Sequence, residues 1–191
     1  MPASPPDPPG ITPWETLESR HGDSMVLFRP RWDTLTHPRS GERFERLVLE
    51  TPDWVNVLAL TGEGELVLVR QYRFGAGTIT TEIPSGVVDP GEDHGDAARR
   101  ELREETGYSS ERWTYLGHVD PNPAFLDNLC HQWLAEEVTL THEQDLDPGE
   151  DIEVLTRSPD QVRSWVREGI INNALVLTAL ARVLDLRRES D

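Results

Sequence analysis

Residues 86–108, GVVDPGEDHGDAARRELREETGY, decide how the rest of the chain is read. The spacing predicts a helix over 95–106: Ala98 and Leu102 make an apolar stripe, and Gly107 stands where a left-handed terminus is favoured. At about 100° per residue, Glu101, Glu104 and Glu105 share one face within an arc of roughly 100°. Carboxylates so placed repel one another, and must be solvated, paired with arginine or neutralised by cations. Taken alone, RRELREE reads as an exposed, salt-bridged helix in which Arg100 pairs with Glu104. The flanks change this reading. Gly86 is followed after five residues by Glu92, and after seven more by Arg100-Glu101-Leu102, then Glu104-Glu105 and Gly107. Seven fixed residue types at fixed spacing should match by chance on the order of once in 10⁸ windows.

Composition narrows the partners. A chain of 191 residues suits one domain with a small additional sheet or arm. Its 36% hydrophobic residues describe a soluble globular protein. No apolar run approaches the roughly 20 residues needed to cross a bilayer. With 18 Lys+Arg against 35 Asp+Glu the formal charge is −17, which repels nucleic acid and anionic lipid; neither nucleic acid nor membrane is expected as a partner. An anionic small molecule meets the same repulsion, so a site for one must recruit cations or a few local arginines. The N-terminus lacks the basic and apolar regions of a secretion signal, and one cysteine, Cys130, allows no intrachain disulfide. A cytoplasmic setting is the expectation.

Residues 1–13 are proline-rich and read as a flexible arm. Residues 14–51 read as an N-terminal hairpin sheet, from MVLFRPRWDTL and ERFERLVLE with a turn at 37–41 between them. In the main body, 52–191, WVNVLALT and ELVLVRQYR form a second pair across Gly62-Glu63-Gly64. ITTEIP is a short strand, SGVVDPGED a loop, RWTYLGHV and DNLCHQWLAEEV further strands, and HEQDLDPGED an acidic loop before the strand IEVLT. Ser158 caps a helix that Gly169 stops, and Asn172 is taken as the cap of a last helix running to Leu186. Mixed strands, one helix, more strands and then helices indicate an α+β arrangement. His94, His118 and His131 are scattered without metal-ligand spacing, so zinc is not expected. Cys130 reads as core.

The fixed pattern resembles that of the Nudix hydrolases, G-x5-E-x7-R-E-U-x-E-E-x-G-U with U apolar; the one departure is Tyr108 at the last position. The resemblance implies an α/β/α sandwich with a mixed sheet plus an N-terminal antiparallel sheet. It also implies hydrolysis supported by two or three Mg²⁺ ions, with Mn²⁺ as a substitute. By resemblance Glu101 and Glu105 are the main metal ligands, Glu104 contributes to a further ion and to catalysis, and the Ser85 carbonyl is a ligand. Gly86, Glu92 and Arg100 hold the loop and the glutamates in place, with Arg100 counted among the catalytic residues.

Outside this box, Gln71-Tyr72-Arg73, Glu82-Ile83-Pro84-Ser85-Gly86 and GIINNALVLTAL resemble the ADP-ribose and nucleoside-diphosphate-sugar pyrophosphatase branch. That likeness implies that Arg73 grips pyrophosphate oxygens, although an arginine ending a strand can be purely structural. Glu82 either meets substrate hydroxyls or helps the metals, or pairs with an arginine. The general base falls at Glu150 in the acidic loop, with Asp151 and Glu153 as alternatives. Phe44 stacks on the base, with Trp32 and Trp54 as other candidates, and Asn128, Asn122 or Asp127 meets sugar hydroxyls. A homodimer with exchanged hairpins is implied. The substrate expected is ADP-ribose. GDP-mannose or another nucleotide sugar is an alternative, and so is a module that senses ADP-ribose without cutting it.

Overall fold

The computed structural model describes residues 14–187, so the arm assigned to 1–13 lies outside the described residues. The described chain forms two compact units, 14–51 with 122–127, and 52–121 with 128–187.

The first unit is an antiparallel sheet of β1 (Glu15–His21), β2 (Arg29–Thr36) and β3 (Arg43–Glu50) in that order. β1 escaped the sequence reading because ETLESRH exposes every side chain and shows no apolar alternation. β2 begins only at Arg29, leaving Met25, Val26 and Leu27 exposed ahead of it rather than in the strand. Residues 122–127 join this unit through Leu49 N–H to Phe125 O at 2.7 Å and through Asp127, which accepts from Thr51 N–H and Arg31 at 3.3 Å each.

The second unit carries an eight-stranded mixed sheet. Its strands are β4 (Trp54–Thr61), β5 (Leu66–Arg73), β6 (Thr78–Glu82), β7 (Ser85–Val87), β8 (Tyr108–Ser109), β9 (Arg112–Val119), β10 (Cys130–Leu140) and β11 (Ile152–Arg157). β4 and β10 run parallel, whereas the other pairings are antiparallel. Ser85–Val87, expected as loop, is instead a short strand on β4, and β8 is a two-residue pairing too brief to leave a sequence pattern. In β10 the register shifts between Ala135 and Val138, where Glu137 takes φ 54°, a bulge that changes the facing of the strand's last residues.

The sheet is covered on both faces, and alternation along β4 and β5 sorts the core. Val55, Val57, Ala59 and Val67 pack with Ala97, Ala98 and Leu102 of α1 (His94–Thr106). Leu58, Leu66 and Leu68 pack on the other face with Val162 of α2 (Pro159–Arg167) and with Val176, Ala179 and Leu180 of α3 (Ala174–Val183). The fold class is therefore α+β. Ser158 caps α2 as expected. α3 is capped by Asn173, not Asn172, because the Asn173 side chain is the one that accepts from Leu175 and Val176 N–H. The helix ends at Val183 rather than Leu186, since Leu184 is already extended. Among the described residues no helix is long and apolar enough to cross a membrane.

Gly107 and Gly169 both sit at φ 75°, but a Cβ on Gly107 would lie 2.2 Å from the His142 carbonyl oxygen while one on Gly169 meets nothing within 4 Å. Gly169→Ala should thus cost only the left-handed backbone penalty of about 1–2 kcal/mol. Gly107→Ala should cost clearly more, read as the difference between the two urea midpoints; equal losses would contradict the close approach.

Candidate active site

α1 is placed by its ends. Asp93 caps it by accepting from Gly95 N–H at 2.8 Å, and Gly107 closes it, donating to Arg103 O at 2.8 Å. With Ala97, Ala98 and Leu102 committed to the core, the helical period turns Glu101, Glu104 and Glu105 toward the segment 85–92. Contact there is close: a Cβ on Gly86 would fall 2.0 Å from Glu101 Cδ, so a side chain at 86 would displace that carboxylate from where Arg100 holds it. Ser85 N–H donates to Glu105 Oε2 at 2.9 Å.

Arg100 binds the two segments together. Its Nε and Nη2 donate to the two Glu92 oxygens at 3.0 and 2.9 Å, and Nη2 also reaches Val87 O at 2.9 Å. Nη1 donates to Glu101 at 2.7 Å and to Glu104 at 3.1 Å. Glu92 in turn accepts from Asp89 N–H at 3.0 Å. The i to i+4 pair expected from the bare helix is therefore present, as one arm of a larger clamp.

Residues 85–87, Arg100 and the three α1 glutamates line a cleft of about 440 Å³ together with Gln71, Arg73, Asp89, Asp145, Asp147 and Glu150, with Glu92 behind it. Glu150, in the loop before β11, accepts from Asp147 N–H at 3.0 Å. Its alternatives stand apart: Glu153 pairs with Arg70 at 2.9 Å, and Asp151 is not among the lining residues. The loop is tied to the end of α1 by Asp145 N–H on Glu104 O at 3.0 Å and by Gln144 Nε2 on Glu105 O at 2.6 Å. Asp145, Asp147 and the strut Gln144 have no individual role in the sequence reading, and Gln71 enters it only as part of Gln71-Tyr72-Arg73. The acidic run marked a loop, but the sequence carried no signal of which end of α1 it touches.

Arg73 reaches the cleft from the end of β5, with Nε and Nη2 paired to Glu82 at 3.1 and 2.8 Å. Glu82 itself is buried and absent from the lining, the arginine-paired alternative among its possible roles. Asn128 is buried as well, with Nδ2 on Pro52 O at 3.0 Å and its Oδ1 without a hydrogen-bond partner. In the first unit Phe44 is half-buried in a cluster with Trp14 at 5.5 Å and His37 at 6.4 Å, under the Arg46 guanidinium at 4.8 Å. The histidines scattered in sequence converge on one patch: His94 stacks on His131 at 4.0 Å, and Tyr115 bridges His131 and His118 at 2.9 and 3.5 Å. Folding β9 beside β10 pairs His118 with His131, and the start of α1 sets His94 against them. Cys130 is buried core, and burial pushes its thiol up to about 12.

Seven carboxylates against two guanidinium groups give the cleft an excess of negative charge. Burial pushes Glu101 up to about 7 and Glu105 up to about 8, against the hydrogen bonds from Arg100 and from Ser85 N–H. Among the described residues no group of three or more His, Cys, Asp or Glu converges as a ready metal cage, because Arg100 holds Glu101 and Glu104 to itself. The donor chemistry nonetheless fits a hard divalent cation. Buried carboxylates on adjoining helical turns beside the Ser85 backbone supply oxygen ligands for a partial shell, and a cation would supply the charge that burial leaves uncompensated.

A model of the NUDIX domain matches residues 50–174. The chain is 37% identical over 117 residues to the ADP-ribose pyrophosphatase of Bacillus subtilis, covering 61% of this chain and 63% of that protein, a little under two thirds of the relative's length. It is 30% identical over 142 residues to the methanol dehydrogenase activator of Bacillus methanolicus, covering 74% and 77% of the two. A solved structure of an ADP compounds hydrolase superposes with TM-score 0.80 over 91% of this chain and 94% of that one; at 21% identity this is a likeness of fold.

Glu101 and Glu105 bind protons more tightly folded than unfolded, so each favours folding at low pH and loses that contribution as pH rises through about 7 and about 8. The melting temperature of EDTA-treated protein should fall from about pH 5 to about pH 8 and level off above that, and saturating Mg²⁺ should flatten the profile. A metal-free profile that is flat or rises across that window would rule out the burial effect.

Proposed function

Because the chain belongs to the Nudix family, whose domain model spans residues 50–174, we propose that it hydrolyses the pyrophosphate of a nucleoside diphosphate linked to a sugar, with ADP-ribose preferred. The observation that carries this reading is the convergence of Arg73, the three α1 glutamates and Glu150 on one cleft in a chain of charge −17. The ADP-ribose pyrophosphatase name of the Bacillus subtilis relative supports the substrate.

In this reading Glu101, Glu105 and the Ser85 carbonyl hold Mg²⁺, Glu104 serves a second or third ion, and Mn²⁺ can replace it. When bound, the cation neutralises phosphate charge and makes a bound water more acidic. Arg73 turns its remaining donors to a phosphate, where a guanidinium matches the oxygens in two-point fashion. Glu150 takes a proton from the attacking water as its oxygen bonds to phosphorus. The bridging P–O bond breaks, and the products are a nucleoside monophosphate and a sugar phosphate. Arg100, Gly86 and Glu92 keep the glutamates in register with the 85–92 segment. Asn128 and Phe44 are the proposed contacts to sugar and base.

The reading extends to a homodimer, supported by Leu17, Met25, Val26, Leu27 and Leu47 standing exposed on the first unit. It extends to a cytoplasmic setting, supported by a free, buried Cys130.

Glu104→Gln and Glu105→Gln should each abolish Mg²⁺-dependent release of AMP from ADP-ribose while the circular dichroism spectrum is kept; full activity in both would refute the site. Run on a panel that includes GDP-mannose, the same assay should rank ADP-ribose first by kcat/KM.

A further inference from the structure

The proposed hydrolysis gives Arg73 the substrate phosphate, and the role assigned to the residues behind Arg73 rests on that reading. An arginine at the end of a strand, with its side chain about two-fifths exposed, has many orientations to lose before it can serve a phosphate. Its Nε and Nη2 edge is fixed by Glu82, which leaves three donors, two on Nη1 and one on Nη2, unused by that pair.

Glu82 is itself over-determined. Its side chain is 2% exposed, and besides the two arginine bonds it accepts from Thr80 Oγ1 at 2.7 Å and has the Asn173 side chain beside it, favouring its charged form. Burial alone would push this carboxyl up; the Arg73, Thr80 and Asn173 donors together hold it below the usual carboxylate range. Three donors on its two oxygens, with the Asn173 side chain beside them, turn Glu82 to Arg73 and away from the cleft.

Asn173 has two tasks. Its Oδ1 accepts from Leu175 N–H at 2.9 Å and Val176 N–H at 3.5 Å, capping α3. A carboxylate offers only acceptors, so the part of Asn173 that favours the charged Glu82 is its amide nitrogen. α3 is anchored in the core by Val176, Ala179 and Leu180, which makes its N-terminus a rigid support for that amide. Satisfying a buried carboxylate could be the whole purpose of this arrangement. Its position argues for more, since the chain of bonds ends on the arginine that lines the cleft.

We propose that Asn173 and Thr80 are positioning residues for substrate binding, fixing Glu82 so that it holds the Arg73 guanidinium in its phosphate-facing orientation. Asparagine suits the place in α3 because one side chain presents an acceptor to the helix and a donor to the carboxylate.

The test uses the full chain. Asn173→Asp keeps a good N-cap but turns the donor facing Glu82 into an acceptor; Asn173→Ser keeps a cap and removes the donor without adding charge, in case the aspartate variant fails to fold. Thr80→Val removes the second donor at constant shape. ADP-ribose affinity of the EDTA-treated protein is measured by calorimetry, and KM and kcat are measured with Mg²⁺.

Each variant should weaken binding about tenfold and raise KM in step, with kcat little changed, and none should weaken it further in an Arg73→Ala background. Wild-type affinity in the folded Asn173 variants, or a loss that persists undiminished on Arg73→Ala, would overturn the inference. If Arg73→Ala alone binds ADP-ribose as the wild type does, the phosphate role of Arg73 fails first, and the inference falls with it for that separate reason.

Discussion

The structure of the cleft depends on the Arg100 guanidinium. Its donors reach Glu92, Val87 O, Glu101 and Glu104, and join a loop that has little regular structure of its own to a helix whose acidic face would otherwise repel itself. Removing the guanidinium would leave partly buried carboxylates without a counter-charge, which costs more than the pair is worth when made. The spacing between Glu92 and Arg100 is thus a constraint of reach, set by the turn that lets the 85–92 segment fold back over the first half of α1. Gly86 belongs to the same constraint, because a Cβ there would push the Glu101 carboxylate out of its place beside Arg100.

A second carboxylate–guanidinium pair, Arg73 with Glu82, is built on different principles. Arg100 organises several acids that border the cleft, whereas Glu82 is an acid withdrawn from the cleft to organise one arginine that borders it. The two pairs sit on neighbouring strands of one sheet and on the helix packed against it, so the apolar packing of Val55, Val57 and Val67 on Ala97, Ala98 and Leu102 sets their spacing. Small residues on that helix face allow α1 to lie close to the sheet. A larger side chain at 97 or 98 would push the glutamates outward along with the helix.

Much of the fold was legible. Alternation in WVNVLALT and ELVLVRQYR revealed central strands, because residues of one parity pack under α1 and those of the other under α3. The helix over the box was marked by its apolar stripe, Ala98 and Leu102, and by the glycine that ends it. β1 was invisible because none of its side chains is buried, and β7 and β8 because strands of two or three residues are too short for a period of two to show. Asn172 and Asn173 offered the same cap chemistry one residue apart, and only backbone geometry chose between them.

The sequence by itself determined that three glutamates would share a helix face and that Arg100 and Glu92 would flank it, since these follow from helical period and fixed spacing. It also determined, through a net charge of −17, that any anionic ligand would need cations or local arginines. Only the tertiary structure decided that Asp145, Asp147 and Gln144 come to the end of α1, that His94, His118 and His131 meet, and that Glu82 turns inward to Arg73, Thr80 and Asn173. Those contacts join residues far apart in the chain, and their partners are fixed by how strands and helices pack. Local pattern reports on period and on caps; it carries no information about which distant surface a side chain will face.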